Sequence, residues 1–268
     1  MGQGRVAILA GRGALPRLIQ QANPDAFVVT FKGVEAGISG HAATFEKLGG
    51  LFETLKRQRV TRVVFAGSMS RPALNPVRFD SKMIRLAPKL LTAMKQGDDT
   101  LLRTVVSVFE DAGFTVIGAH QAAPDLTAAA GLIAGPKPKK QHLVDACRAV
   151  DILTTTSTLD LGQACVVGQG LCYGVETIQG TDALLDFVKR TPQHLRRDDG
   201  GILFKAPKKG QELRVDMPAI GADTMRNAAE AGLSGVVIEA NKVLLLDRPA
   251  IEKIAVEEGI FLLAQEVA

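Results

Sequence analysis

RVAILAGRGALPRLIQQA, Arg5–Ala22, is the stretch on which the fold turns. It reads as a buried strand, a glycine turn and a helix. The same unit then repeats in coarser form. AFVVTF is a second strand. FEKLGGLFETLKRQRV has helical spacing, with Phe45, Leu48, Leu51, Phe52 and Leu55 on one face. TRVVFAG is another buried strand that ends in glycine. A long helical region runs from about Ser81 to Ala112, interrupted near KQGDDT, and GFTVIGA is a strand. Strands that alternate with helices imply a parallel, doubly wound α/β sheet. Such sheets take ligands beyond the carboxyl ends of their strands. Here those ends are LAGRGALP, FAGSMSRP and VIGAHQA, all rich in glycine and small residues.

GLIAGPKPKKQ, Gly131–Gln141, reads as a linker because it holds two prolines and three lysines. The expected organisation is therefore a first domain over 1–130, a linker over 131–141 and a second α/β domain over 142–268. The second domain opens with a helix from His142 to Leu159. ACVVGQGLCYGVETI reads as two strands around a tight turn. GTDALLDFVKRT and GADTMRNAAEAG start helices, and RPAIEKIAVEEG is a third. GVVIEA, KVLLLD and GIFLLA are strands. No internal repeat or low-complexity segment interrupts the chain.

Composition narrows the function. The 268 residues are 46% apolar, enough for a sizeable core, and 22% charged. One tyrosine and no tryptophan argue against stacking platforms for single-stranded nucleic acid. The longest apolar runs are strand-sized, well short of the roughly 18 residues of a membrane span. The first residues do not form a secretory signal. Cys147, Cys165 and Cys172 lack ligand-like pairing, which implies a reduced, cytoplasmic protein. The net charge of +4 is unevenly spread. Residues 1–140 hold 19 Lys/Arg against 10 Asp/Glu, a net of +9, and residues 141–268 hold 13 against 18, a net of −5. A basic half beside an acidic half suits an anionic ligand with a metal on the acidic side; ordinary surface drift explains it equally.

Several motifs carry chemistry, each with a structural alternative. Gly11, Arg12 and Gly13 follow the first strand, where nucleotide folds place phosphate at a helix N-terminus. They are not a dinucleotide fingerprint: Pro16 stands at the third glycine, and Lys32 where the acid after strand two belongs. A turn required only for packing is the alternative. Ser68, Ser70 and Arg71 offer hydroxyls and a guanidinium to a phosphate or sugar, or simply form a loop before a proline. Asp98 and Asp99 open a helix as caps, or bind a metal or sugar. His120 follows a strand. Gly180, Thr181 and Asp182 grip a ligand or cap a helix. Gln163 and Glu176 are polar residues in apolar surroundings and need partners if buried.

The most specific stretch is KAPKKGQELRVDMPAIGADT, Lys205–Thr224. The cations Lys205, Lys208, Lys209 and Arg214 precede Asp216 and Asp223. A pyrophosphate needs cations and N–H donors, and magnesium needs a few oxygen ligands with retained waters. Asp223, at a helix start, points at a metal or a water, or else caps the helix.

LAGRGALP, FAGSMSRP, GDDTLLR, GFTVIGAH, LDLGQACVV, VETIQGTDALL and KAPKKGQELRVDMPAIGADT, in this order, resemble the LpxI-type UDP-2,3-diacylglucosamine pyrophosphatases of lipid A biosynthesis. The resemblance spans nearly the whole chain. It departs at Arg12, Gln121 and Asn241, where the family pattern reads glycine, an acid and glycine. The resemblance implies a Rossmann-like N-terminal domain, a distinct C-terminal domain and a substrate held between them. It implies Mg²⁺-dependent hydrolysis to lipid X (2,3-diacylglucosamine 1-phosphate) and UMP, by water attack on the phosphorus nearer the glucosamine. A critical acid matches Asp223, assigned to catalysis and metal, with Asp216 assisting. The substrate set expected is Gly11, Arg12, Gly13, Ser68, Ser70, Arg71, Asp98, Asp99, Gln163, Glu176, Gly180, Thr181, Asp182, Lys205, Lys208, Gln211, Arg214 and Thr224. A lipid nucleotide substrate further implies a cytoplasmic protein peripheral to the inner membrane, without nucleic acid, and is compatible with a homodimer. The rival readings are a nucleotide-sugar transferase or epimerase and a non-catalytic sensor of a nucleotide sugar or lipid phosphate.

Overall fold

The computed structural model describes residues 4–69, 74–196 and 200–267. The chain forms two compact units. The first comprises residues 1–124 with 212–216, and the second comprises 125–211 with 217–268.

In the first unit the elements follow the expected alternation: β1 (Arg5–Ala10), α1 (Leu15–Ala22), β2 (Phe27–Phe31), β3 (His41–Ala43), α2 (Leu48–Arg57), β4 (Val60–Ala66), α3 (Ser81–Lys95), α4 (Asp98–Glu110), β5 (Thr115–Ile117) and α5 (Ala119–Ala122). The five strands form a sheet in the order β3-β2-β1-β4-β5. Every described pairing in it is parallel. This is the doubly wound order, which reverses between β1 and β4. β1 is buried along almost its whole length because helices cover both faces of a parallel sheet. The core beneath α2 and α4 is aromatic: Phe109 meets Phe52 and Phe65 edge to face at 5.1 and 5.2 Å. Leu48, Leu51, Phe52 and Leu55 share the buried face of α2 as expected. Phe45 does not belong to that helix; it lies in the turn before it and stacks on Phe31 at 4.4 Å.

The second unit contains β6 (Gly131–Ala134), α6 (Lys140–Ser157), β7 (Ala164–Gly168), β8 (Leu171–Val175), α7 (Thr181–Lys189), β9 (Ile202–Lys205), β10 (Ala219–Gly221), α8 (Ala222–Glu230), β11 (Gly235–Glu239), β12 (Leu244–Leu246), α9 (Arg248–Glu257) and β13 (Phe261–Gln265). Its main sheet runs β6-β13-β11-β9-β7-β8, and β10 pairs with β12 separately. β9, β11 and β13 are parallel, whereas β6 and β7 run against their neighbours. One core cluster here is aliphatic, built on residues such as Val166, Leu203, Ile238, Met225 and Leu262, and a second gathers around Phe204 and Phe261.

The expected linker is corrected by this sheet. Gly131–Ala134 pairs with Leu262–Ala264 as an edge strand, so the proline- and lysine-rich stretch contributes only a turn before α6. Antiparallel pairing at an edge tolerates the short, half-exposed strand that the flanking prolines allow. The boundary of the second unit is not continuous either, since 212–216 packs with the first unit through Val215.

Candidate active site

In the first unit the two glycine loops at the strand-order reversal are stitched to one another. The Gly11 amide donates to the Ala66 carbonyl at 2.7 Å, and the Arg12 amide donates to the Ser68 carbonyl at 2.8 Å. The Ser68 amide returns a bond to the Arg12 carbonyl at 3.1 Å. Two of the N–H groups expected to face a phosphate are thus consumed by backbone. The glycines are explained by close approach. A Cβ on Gly11 would lie 2.6 Å from the Ser68 carbonyl oxygen, and one on Gly67, at φ +88°, would lie 2.3 Å from that of Arg12. Gly13 has φ +98° with open space around it, and the Arg12 side chain is exposed. Ser70 and Arg71 lie outside the described residues.

Asp98 and Asp99 sit in the first turn of α4, one and two residues after Gly97, which holds the cap position. Asp99 instead holds Arg103 at 2.7 Å. Arg214 is clamped. Its Nε and Nη2 donate to the two carboxylate oxygens of Glu212 at 2.9 and 2.7 Å, and its Nη1 donates to Glu110 at 2.7 Å. Those bonds depress the Glu212 carboxyl below its ordinary value and raise the guanidinium further. Asp216, exposed, belongs to the same five-residue segment. His120 has a buried Nδ1 with no hydrogen-bond partner among the described residues, and burial lowers its pKa.

The second unit assembles a different kind of site, and strand register builds it. Ala164, at the start of β7, lies opposite Lys205 on one side. On the other side its carbonyl accepts from the Glu176 amide at 2.8 Å. Glu176 and Lys205 therefore flank one residue from neighbouring strands. α7 starts beside them, after Gly180 at φ +87°. Thr181 joins the two: the Lys205 ammonium donates to Thr181 Oγ1 at 2.8 Å, and that hydroxyl donates to Glu176 Oε2 at 2.9 Å. Lys205 is 6% exposed, and Glu176 is also buried. Desolvation lowers the Lys205 pKa, opposed in part by the charges of Glu176 and Asp182. Among the described residues Thr181 is the hydrogen-bond partner of that ammonium, which has three donors. Asp182 accepts from Asn227 Nδ2 at 3.0 Å, tying α7 to α8. Neither Thr181 nor Asp182 caps α7, so the capping alternative does not hold.

Asp223 is not a cap either. Gly221 occupies that position, and its amide donates to Thr224 Oγ1 at 3.4 Å. The Asp223 side chain is 85% exposed and contacts Arg226 Nη1 at 2.6 Å. The remaining predicted residues hold the loop. The Lys208 amide donates to Gln211 Oε1 at 2.8 Å, Gln211 Nε2 donates to Gln163 Oε1 at 3.3 Å, and the Lys208 ammonium meets Asp160 at 2.5 Å. No group of three or more His, Cys, Asp or Glu suited to a metal occurs among the described residues.

Glu212, Glu110, Asp160 and Asn227 were missed by sequence reasoning. Glu212 had a local signal, an acid two residues before Arg214. The others lie 45 to 104 residues from their partners and carried none.

Comparison with known proteins bears on the same residues. The model of the LpxI N-terminal domain matches residues 5–126, and that of the LpxI C-terminal domain matches residues 129–263. A protein of Caulobacter vibrioides named UDP-2,3-diacylglucosamine pyrophosphatase LpxI is 36% identical over 279 residues, which cover 97% of this chain and 96% of that protein. The chain belongs to the LpxI family.

Proposed function

We propose that this protein hydrolyses the pyrophosphate of UDP-2,3-diacylglucosamine, releasing UMP and 2,3-diacylglucosamine 1-phosphate (lipid X). The observation that carries the reading is the buried Lys205 ammonium. A desolvated cation with one hydrogen-bond partner among the described residues is costly unless an anion completes its shell. A phosphate oxygen does that, and Thr181 and Glu176 hold the ammonium in place to receive it. The name of the Caulobacter relative supplies the substrate.

Phosphoanhydride cleavage needs positioning and charge stabilisation rather than covalent participation by the protein. Lys205 stabilises charge that builds on the pyrophosphate oxygens. Asp223, exposed at the first turn of α8, orients the attacking water. Asp216 assists, and Arg214, already held by two carboxylates, orders its segment rather than serving as the main phosphate contact.

Magnesium is part of this proposal, and the donor set fits it in one mode. Mg²⁺ keeps several waters and is commonly held by one or two carboxylates plus substrate phosphates. A single outward carboxylate, Asp223, suits that mode and not a closed protein cage. When bound, the ion supplies charge neutralisation on the pyrophosphate. The lipid portion of the substrate favours action at a membrane surface. No helix among the described residues is long and apolar enough to cross one.

Phosphorus NMR with UDP-2,3-diacylglucosamine and Mg²⁺ tests the reading. The two pyrophosphate signals should give way to two monophosphate signals, and EDTA should stop this. Asp223→Ala should bind substrate yet nearly abolish turnover. Unchanged signals from folded protein that still binds the substrate would make it a nucleotide-sugar sensor instead. Wild-type turnover by Asp223→Ala would remove the role of that acid.

A further inference from the structure

We propose that the outer face of α3, with the turn before it, docks this protein onto an anionic lipid bilayer. One side of α3 is accounted for: Met83 and Ala93 are buried, and Leu86 and Leu90 pack on the aromatic core. The other side is apolar along its centre and has no partner among the described residues. Ile84 and Leu91 stand seven residues apart, hence on one face, and are 59% and 53% exposed. Pro88 lies between them, and Val77, in the preceding turn, is 93% exposed.

The charges within α3 are of one sign, and the half-buried Asp80 just before it is occupied by the Met83 and Gly50 amides. Arg85 flanks the seam and Lys95 closes it on the same face, α3 holds no carboxylate, and Arg78 precedes the helix; Lys82 lies nearly opposite, with its Cβ toward Gly49 of α2. Lys89 is partly neutralised by Asp111 at 3.8 Å. Arg78, Lys82, Arg85 and Lys95 make no ion pair among the described residues. An apolar seam edged by cations is complementary to a leaflet with anionic headgroups: the seam enters the headgroup boundary while the cations remain in the surface potential. The reading of a lipid substrate gives this docking a purpose, and the inference rests on it in that respect only, since binding a bilayer needs no turnover.

The test is co-sedimentation of the full chain with vesicles of phosphatidylcholine alone or with a third phosphatidylglycerol. The wild type should pellet with the anionic vesicles, less as salt rises. Serine at Val77, Ile84 and Leu91 together should weaken partition about tenfold or more. Arg78→Gln and Arg85→Gln should each weaken it about fivefold. Val256→Ser, at an exposed apolar position on α9, should change nothing. All these variants should keep turnover of a short-acyl, detergent-dispersed substrate. The inference falls if the wild type ignores anionic vesicles, or if the triple serine variant pellets as well as the wild type. It also falls if that variant loses turnover of the dispersed substrate, which would assign the seam to the acyl chains. A wild type that pellets correctly but hydrolyses nothing leaves the docking face standing and removes the hydrolase reading.

Discussion

The glycine loops of the first unit and the buried trio of the second make an instructive pair. Both lie at strand ends where α/β sheets place ligands. The first has the composition of a phosphate loop, yet its Gly11 and Arg12 amides bond to Ala66 and Ser68. The second has a plain composition, yet it holds an ammonium in low dielectric with a hydroxyl as its hydrogen-bond partner among the described residues. Glycine content reports how closely two backbones approach. A buried donor left short of partners reports that something is missing. Two of the four cations in Lys205–Thr224 repeat this contrast: Arg214 has three donor nitrogens satisfied by carboxylates, and Lys205 does not.

The sharpest way to break the comparison is Lys205→Met. Turnover should fall about 10²–10³-fold, as when one donor to developing charge is removed. Stability should hold or rise, because a desolvated charge is lost. The pH dependence carries its own sign. The folded pKa of Lys205 is lowered, so between it and the ordinary lysine value the unfolded chain binds more protons. Wild-type stability should therefore rise with pH through that window, while activity falls as the ammonium is lost. Lys205→Met should show neither trend. Activity that survives in Lys205→Met would end its role.

Gly67→Ala probes the other region. Its positive φ and the Arg12 carbonyl at 2.3 Å predict a loss of about 3 kcal/mol in urea unfolding. Residual turnover per folded molecule should be near normal. A selective loss of substrate affinity would instead restore a phosphate role to the loop.

Arg214→Met should cost about 1–2 kcal/mol, kept small by solvent screening because the guanidinium is about a third exposed. KM should move little. A large KM increase at unchanged stability would make Arg214 a ligand contact.

The smallest effect is the pH dependence of that pair. The folded Glu212 pKa is depressed, so its contribution is present above the ordinary carboxylate value and fades as pH falls through the folded one. The stability gap between wild type and Arg214→Met should narrow on acidification. A gap that is constant down to strongly acidic pH would contradict the assignment.

At Arg12, Gln121 and Asn241, where the resemblance leads one to expect other residues, local geometry accommodates what this chain carries. Asn241 has φ +60°, a left-handed conformation that asparagine accepts more readily than other side chains. Gln121 Oε1 accepts from the Gly118 amide at 2.8 Å, a bond that the usual acid could also accept. Arg12 is not at positive φ, so glycine is not required there.

The alternation of strands and helices, the hairpin at 164–175 and the family itself were legible from residues 5 to 267. They depend on period, turn chemistry and motif order, which are local properties of a chain. Phe45 and the 131–141 stretch misled for the same reason: apolar spacing ran on past a helix start, and proline obscured a short edge strand. Tertiary structure alone decided what the polar groups do. Lys205 and Thr181 are 24 residues apart, and Arg214 and Glu110 are 104 apart. Register across β8, β7 and β9 brings Glu176 and Lys205 abreast, and the return of 212–216 to the first unit brings Arg214 against Glu110. A side chain's charge is written in the sequence. Whether that charge is already satisfied depends on which distant strand and helix ends fold beside it.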